Sequence, residues 1–239
     1  MRVVATLICI IGCAAPGYSE NNLALYLGGA HTQDSSLTLH DGAADQLTFS
    51  AVPYQSRSFD SPPYYGGRVG HYFFRHFGIE AEFIHLKIYA ITATSVRVTG
   101  TFGGSPVNTT APMSNYAPRF SISHGNNLLL FNGAYRQDFF RNDKDVRRLG
   151  RLLLTGRAGA GPTIPHAEVT FAGNSHENYF LGRVAIQVGA SVEWKLWRRL
   201  YALSEYKFTH NAQGVDVGSR FFKLDANSHH GIFGISAHF

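Results

Sequence analysis

The sequence predicts an all-β fold, an eight-stranded antiparallel transmembrane β-barrel with short periplasmic turns and long extracellular loops. Three observations carry this. First, in the closing stretch Ser228 to Phe239 every second residue back from the end (Phe239, Ala237, Ile235, Phe233, Gly231) is apolar or small. The alternate set (His238, Ser236, Gly234, His230) is mostly polar or small, with Ile232 the exception, and a period of two means a strand with two unlike faces. Second, past the N-terminus no run of 18 apolar residues exists, which excludes a transmembrane helix but not a barrel, whose strands need only about 9–11 residues. Third, the segments between alternating runs are short and long in turn, the asymmetry expected of a barrel with its two ends in different compartments.

Met1 to Ser19 reads as an export signal: Arg2, then an apolar core Val3 to Ile11 broken only by Thr6, then Gly12-Cys13-Ala14-Ala15. The mature domain is then 20–239. A rival reading takes Ile10-Ile11-Gly12-Cys13 as a lipoprotein processing box, at the expense of an unusually short signal. Both cysteines, Cys9 and Cys13, fall in this segment, so cleavage near Glu20 leaves no thiol for disulfide, zinc or nucleophile chemistry.

The first strand is Asn22 to Gln33, with Leu23, Leu25 and Leu27 on one face. Asp34 to Pro63, rich in Ser, Asp and Pro, reads as a long loop. Tyr64 to Arg75 and Gly78 to Ala90 follow as a pair joined by a short turn, Ile79, Ala81 and Phe83 alternating with Glu80 and Glu82. Ile91 to Pro118 reads as a second long loop, within which Val96 to Asn108 forms a hairpin around Gly103-Gly104. Arg119 to Arg136 is the fourth strand, entered through a bulge near Gly125, and Arg151 to Gly161 is the fifth. Pro162 to Asn178 reads as loop, Tyr179 to Trp194 as the sixth strand, and Leu200 to His210 as the seventh after a tight turn at Leu196 to Arg199. Asn211 to Asn227 is the last loop before the closing strand.

With 44% hydrophobic, 13% aromatic and only 15% charged residues, the chain has the material for one folded domain and is not disordered. Its formal charge of +5 does not gather into a basic stripe, so nucleic acid is not expected as a partner. Anionic lipid head groups are. A soluble eight-stranded barrel would need no alternation of loop lengths, which favours the bacterial outer membrane.

If the apolar faces meet lipid, the inward set includes Arg68, Glu80, Glu82, Asn132, Arg157, Arg183, Gln187, Glu193, Glu205 and Lys207. Eight strands enclose room for side chains and little else. Buried charges persist when paired, so this set predicts a salt-bridged plug, not a pore. Near the outer rim, strict parity carries His85 and Lys87 to the lipid side. Either they contact head groups, or a bulge turns them inward. His124, Asn126, Asn127, His166, Glu168, His210, His229 and His230 are further rim polar groups. Converging His and carboxylate groups suit a divalent metal or acid–base work. Against that, a chain with 12 histidines places several on rims without any such role.

On Phe77-Gly78-Ile79-Glu80-Ala81-Glu82-Phe83, Ser204-Glu205-Tyr206-Lys207-Phe208-Thr209 and the aromatic-ended last strand, the mature chain resembles small OmpA/OmpX-type outer-membrane barrels. That family has no single activity. The resemblance implies outer-membrane lipid and lipopolysaccharide as surroundings, recognition by the barrel-assembly machinery through the C-terminal strand, and a monomer. Glu82 to Ala90, Gly125 to Asn132, Gly161 to Glu168 and Glu205-Tyr206-Lys207 are similar to the rhizobial lipid A oxidase group. This narrower likeness implies oxygen-dependent oxidation of the proximal glucosamine of lipid A, metal-assisted, with no agreed catalytic set to carry over. Two functions therefore stand side by side: a structural or surface-binding barrel, and an enzyme of the outer leaflet with His85, Lys87, His166 and Glu168 as candidate catalytic residues. The lipid A deacylase barrels match less well, their His-x-Ser pattern being absent from the strand ending Phe208-Thr209-His210-Asn211.

Overall fold

The computed structural model describes residues 19–42, 44–73, 75–141, 149–217 and 220–239. The export signal with Cys9 and Cys13 lies outside them. In chain order the strands are β1 (Ser19–Thr32), β2 (Ser35–Asp41), β3 (Asp45–Val52), β4 (Tyr54–Gln55), β5 (Tyr65–Phe73), β6 (Phe77–Ala90), β7 (Ser95–Phe102), β8 (Ser105–Pro112), β9 (Arg119–Phe139), β10 (Leu152–Phe171), β11 (Asn174–Tyr179), β12 (Val184–Trp197), β13 (Leu200–Val217) and β14 (Arg220–His238). Eight of these, β1-β5-β6-β9-β10-β12-β13-β14, pair antiparallel in that order, and β14 returns to β1 from Asn22↔His238 to Thr32↔Ser228. The ring is closed, so its backbone groups pair within the wall, as a hydrocarbon environment demands. These eight are the predicted spanning strands.

Side-chain alternation then decides what faces where. Leu25, Val69, Ile79, Phe131, Val188, Phe233 and Ile235 are each more than half exposed, and with them the barrel wears an apolar belt. Phe77, Tyr135, Trp194, Trp197 and Phe239 ring its periplasmic end. An outward apolar belt around a polar, charged interior inverts the arrangement of a soluble protein. This chain is a transmembrane barrel of the bacterial outer membrane. Phe239 completes the closure, its N–H donating to the Asn21 carbonyl at 2.9 Å and its carbonyl accepting from the Asn21 N–H at 2.6 Å.

Beyond the membrane the structure differs from the loop reading. Asp34 to Pro63 holds β2, β3 and β4; Pro162 to Asn178 holds the end of β10 and most of β11; Asn211 to Asn227 continues β13 and β14. The sheet grows from β14 through β2, β3 and β7 to β8. The physical reason is a second core. Leu37, Leu39, Leu47, Phe49, Val98, Met113, Ile122 and Leu224 are buried together above the belt, and the Ser, Thr and Asp between them take the solvent face. The predicted hairpin is β7–β8, turning at Gly103 and Gly104, both with positive φ, as a two-residue hairpin turn of this hand requires.

Candidate functional site

Two clusters of ionisable side chains stand out, one inside the barrel and one on its outer wall. Inside, Arg68, Arg157 and Lys207 meet Glu80, Glu82 and Glu205, three cations against three anions, all 5% exposed or less. Arg68 lies 3.6 Å from Glu80, 3.2 Å from Glu82 and 3.0 Å from Glu205. Arg157 reaches Glu80 at 3.0 Å and Glu205 at 2.8 Å, and Lys207 reaches Glu82 at 2.5 Å and Glu205 at 3.2 Å. Tyr26, Asn132 and Gln187 donate further hydrogen bonds to Glu82. Each carboxylate thus has several donors, the condition under which buried charge is tolerated. Of the residues read as inward, Arg183 is the exception: it is exposed, because β12 begins only at Val184. Below this plug, His238 bridges Glu20 at 2.7 Å and Glu193 at 2.8 Å, tying β14 to β1 and β12.

The outer cluster is built by a bulge in β9. Leu86 pairs with Asn126 and Ile88 with Ile122 on one side, and Pro165 and Ala167 pair with the same two residues on the other. Three residues of β9, Ser123 to Gly125, therefore face one residue of each neighbour, Lys87 and His166. Gly125 takes φ +111°, a region costly for any side chain, and an added Cβ would stand 2.4 Å from the His85 ring. Next to it His124 is thrown outward.

On β10, Ala167 and Val169 join the extracellular core, so the alternate residues His166 and Glu168 point to the outer face, where neighbouring side chains bury them. β11 folds back beside them through a two-residue turn at Ala172-Gly173, both with positive φ, which sets Tyr179 opposite His166 and Glu177 opposite Glu168. The Nδ1 atoms of His124 and His166 are 3.2 Å apart, His124 Nδ1 is 3.3 Å from Glu168 Oε1, and His166 Nε2 is 3.3 Å from Glu177 Oε1. Ser123 Oγ donates to Glu168, Arg119 pairs with its other oxygen, and the Tyr179 ring packs on His166 with centroids 4.2 Å apart. Burial, with His124 close by, holds the His166 imidazole below its ordinary value against the pull of Glu177.

The structure thus brings His166 and Glu168 together, joins them to His124, and adds Glu177, Arg119 and Ser123. His85 stands one strand away: its ring stacks on Tyr65 at 4.9 Å and its Nδ1 meets Asn127 Oδ1 at 2.8 Å, while Asn127 Nδ2 donates to the Ile164 carbonyl. Lys87 is not part of the group. Its ammonium donates to the Asp60 carbonyl at 3.0 Å. Both residues are under 5% exposed, Lys87 beneath Asp60 of the segment between β4 and β5 and His85 beneath the Tyr65 ring, so neither meets head groups directly. Of the other rim histidines, His230 is fully buried in the lumen between Tyr64 and Thr209, and His210 and His229 have their own partners on neighbouring strands. Glu177 lay in a segment read as loop, although Ala172-Gly173 between two polar alternating runs was a usable hairpin signal.

Ring, belt, plug and outward cluster define a small closed outer-membrane barrel with a built site on its wall. No family model and no curated protein matches the chain. Among solved structures it is similar to the N-terminal β-barrel domain of Pseudomonas aeruginosa OprF, with 10% identity over 93% of this chain and 98% of that one and a TM-score of 0.38. It is also similar to Ail, the attachment invasion locus protein of Yersinia pestis, at 11% identity, 94% and 100% coverage and a TM-score of 0.37. A third likeness is to AlkL, at 12% identity, 95% and 92% coverage and a TM-score of 0.41. The fold assignment rests on the closed ring and its belt, and no residue role carries over from these proteins.

Proposed function

We propose that this barrel is a surface-binding protein of the cell envelope whose outer wall engages lipopolysaccharide in the outer leaflet. The observation that carries this reading is the exposed charged rim of the outer cluster, Arg119, His124 and Glu177, set over the buried His166 and Glu168 just beyond Ile164, which is 42% exposed in the belt. That is head-group height. Arg119, on the same wall, supplies a cation for an anionic sugar or phosphate. The charge-balanced plug argues against a conduit, and planar bilayers holding the protein are expected to show no conductance steps. Met1 to Ser19 serves as the export signal, and the strand ending at Phe239 is the segment for the barrel-assembly machinery to read. Lipopolysaccharide binding by the detergent-solubilised protein tests the reading: Arg119→Ala is expected to weaken it, and binding unchanged by that substitution contradicts it.

A second reading, an enzyme acting on lipid A, draws on one further observation, the convergence of two imidazoles and a carboxylate able to move protons. Mass spectrometry of lipid A from cells with and without the protein, and with His166→Ala, tests it. An unchanged lipid A profile removes it.

A further inference from the structure

The four side chains of the outer cluster share a feature that neither lipid contact nor acid–base work requires. One ligand atom from each of His124, His166, Glu168 and Glu177 can be chosen so that all lie within 4.8 Å of one another. In a tetrahedral site with bonds of about 2.0–2.1 Å, ligand atoms stand roughly 3.3–3.5 Å apart, so the group is already near that size.

The acceptors of the cluster converge on one point. His124 Nδ1 has three polar neighbours, Ser123 Oγ at 3.1 Å, His166 Nδ1 at 3.2 Å and Glu168 Oε1 at 3.3 Å. A ring nitrogen carries either one proton or one lone pair. The Ser123 hydroxyl gives its proton to Glu168. With its proton on Nδ1, His124 donates to Glu168 and to the His166 Nδ1 lone pair, while His166 Nε2–H faces Glu177; one shared proton thus holds the place that a cation would take. A second, independent feature is the register of the β10–β11 hairpin, which sets Glu168 directly opposite Glu177. Like charges directly opposite on paired strands destabilise a sheet. A divalent ion between them removes that repulsion and takes the place of the shared proton.

We propose that His124, His166, Glu168 and Glu177 form a binding site for a divalent transition-metal ion at head-group height on the outer wall. Two imidazoles with two carboxylates suit ions of the zinc, cobalt and iron class over calcium or magnesium. His166 and Glu168 are the anchoring ligands, both buried and fixed on β10. His124 and Glu177 are exposed and close on the ion from the bulge and the hairpin. Ser123 and Arg119 orient Glu168 from behind, and Tyr179 holds the plane of the His166 ring. The proposal goes beyond the surface-binding reading and does not depend on it.

Titration of the full detergent-solubilised chain with Co2+, read by visible absorption, and with Zn2+, read by calorimetry, tests it. One ion per chain is expected, with d–d bands of a four- or five-coordinate site. Arg119→Ala, which touches a ligand from outside, is expected to weaken binding by about 10-fold or more. His166→Ala and Glu168→Gln remove ligands and are expected to cost at least that much, with the gel mobility of the folded barrel retained. His229→Ala, a histidine on another part of the rim, is expected to leave binding unchanged. No stoichiometric binding by the wild type, or binding that survives His124→Ala combined with His166→Ala, overturns the proposal. Absence of lipopolysaccharide binding by the wild type, with the metal titration intact, would instead count against the surface-binding reading alone.

Discussion

Lys207 on β13 reaches across the lumen to Glu82 on β6, with Nζ and Oε1 2.5 Å apart and both side chains fully buried. The contact joins opposite walls of the ring, and Arg68 and Glu205 brace it from either side. Removing one charge leaves an uncompensated cation away from water. Glu82→Gln is therefore expected to destabilise the barrel by about 3–5 kcal/mol, read from urea unfolding in detergent, while Glu82→Leu with Lys207→Met recovers most of it. A single-variant loss below about 1 kcal/mol would show that water reaches the network.

Lys87 predicts a pH dependence of known sign. Burial, with Arg57 close by, lowers its ammonium from the ordinary 10.5, partly offset by Asp60. A lowered basic group disfavours folding while it is protonated in both states; as pH rises through the folded value toward 10.5, the unfolded chain holds the proton longer and stability rises. Lys87→Met is expected to be more stable than the wild type at neutral pH, and the difference should shrink as pH approaches 10. A difference that is constant or grows with pH contradicts this.

Gly125 tests the bulge. Its φ of +111° and the nearby His85 ring leave no room for a methyl group without strain. Gly125→Ala is expected to cost about 1–3 kcal/mol and to loosen His124 on the outer wall. His85→Ala in the same background should return only the steric share of that cost, because the backbone conformation is unchanged.

The extracellular sheet is expected to behave as folded structure, not as mobile loops. Phe49 is fully buried in its core, and Phe49→Ala is expected to cost about 3–5 kcal/mol locally. Limited proteolysis of intact cells should cut the variant between β2 and β3 far faster than the wild type.

These differences mark where sequence reasoning reached and where it stopped. The spanning strands were legible because lipid on one side and a small lumen on the other impose a strict period of two, as in Val184 to Trp194. The plug was legible for the same reason, since parity alone sends Arg68, Glu80, Glu82, Arg157, Glu205 and Lys207 inward. Above the membrane both faces see water or a small core, and Ser, Asp and Pro in Asp34 to Pro63 outweighed the alternation of Leu37, Leu39, Leu47 and Phe49. The outer cluster needed more still. His166 and Glu168 could be named one by one, but Glu177 joins them only through the register of a hairpin, and His124 only through a bulge of three residues against one.

Both the metal site and the lipopolysaccharide surface require that cluster to face the outer leaflet at head-group height. Spin labels at Glu177→Cys and, as a lipid-facing reference, Phe131→Cys, with Cys9 and Cys13 replaced, measure this in reconstituted bilayers. The Glu177 label is expected to be reached by an aqueous nickel chelate more readily than by oxygen, and the Phe131 label the reverse. A Glu177 label that behaves like Phe131, or that neither reagent reaches because it points into the barrel, would contradict that placement.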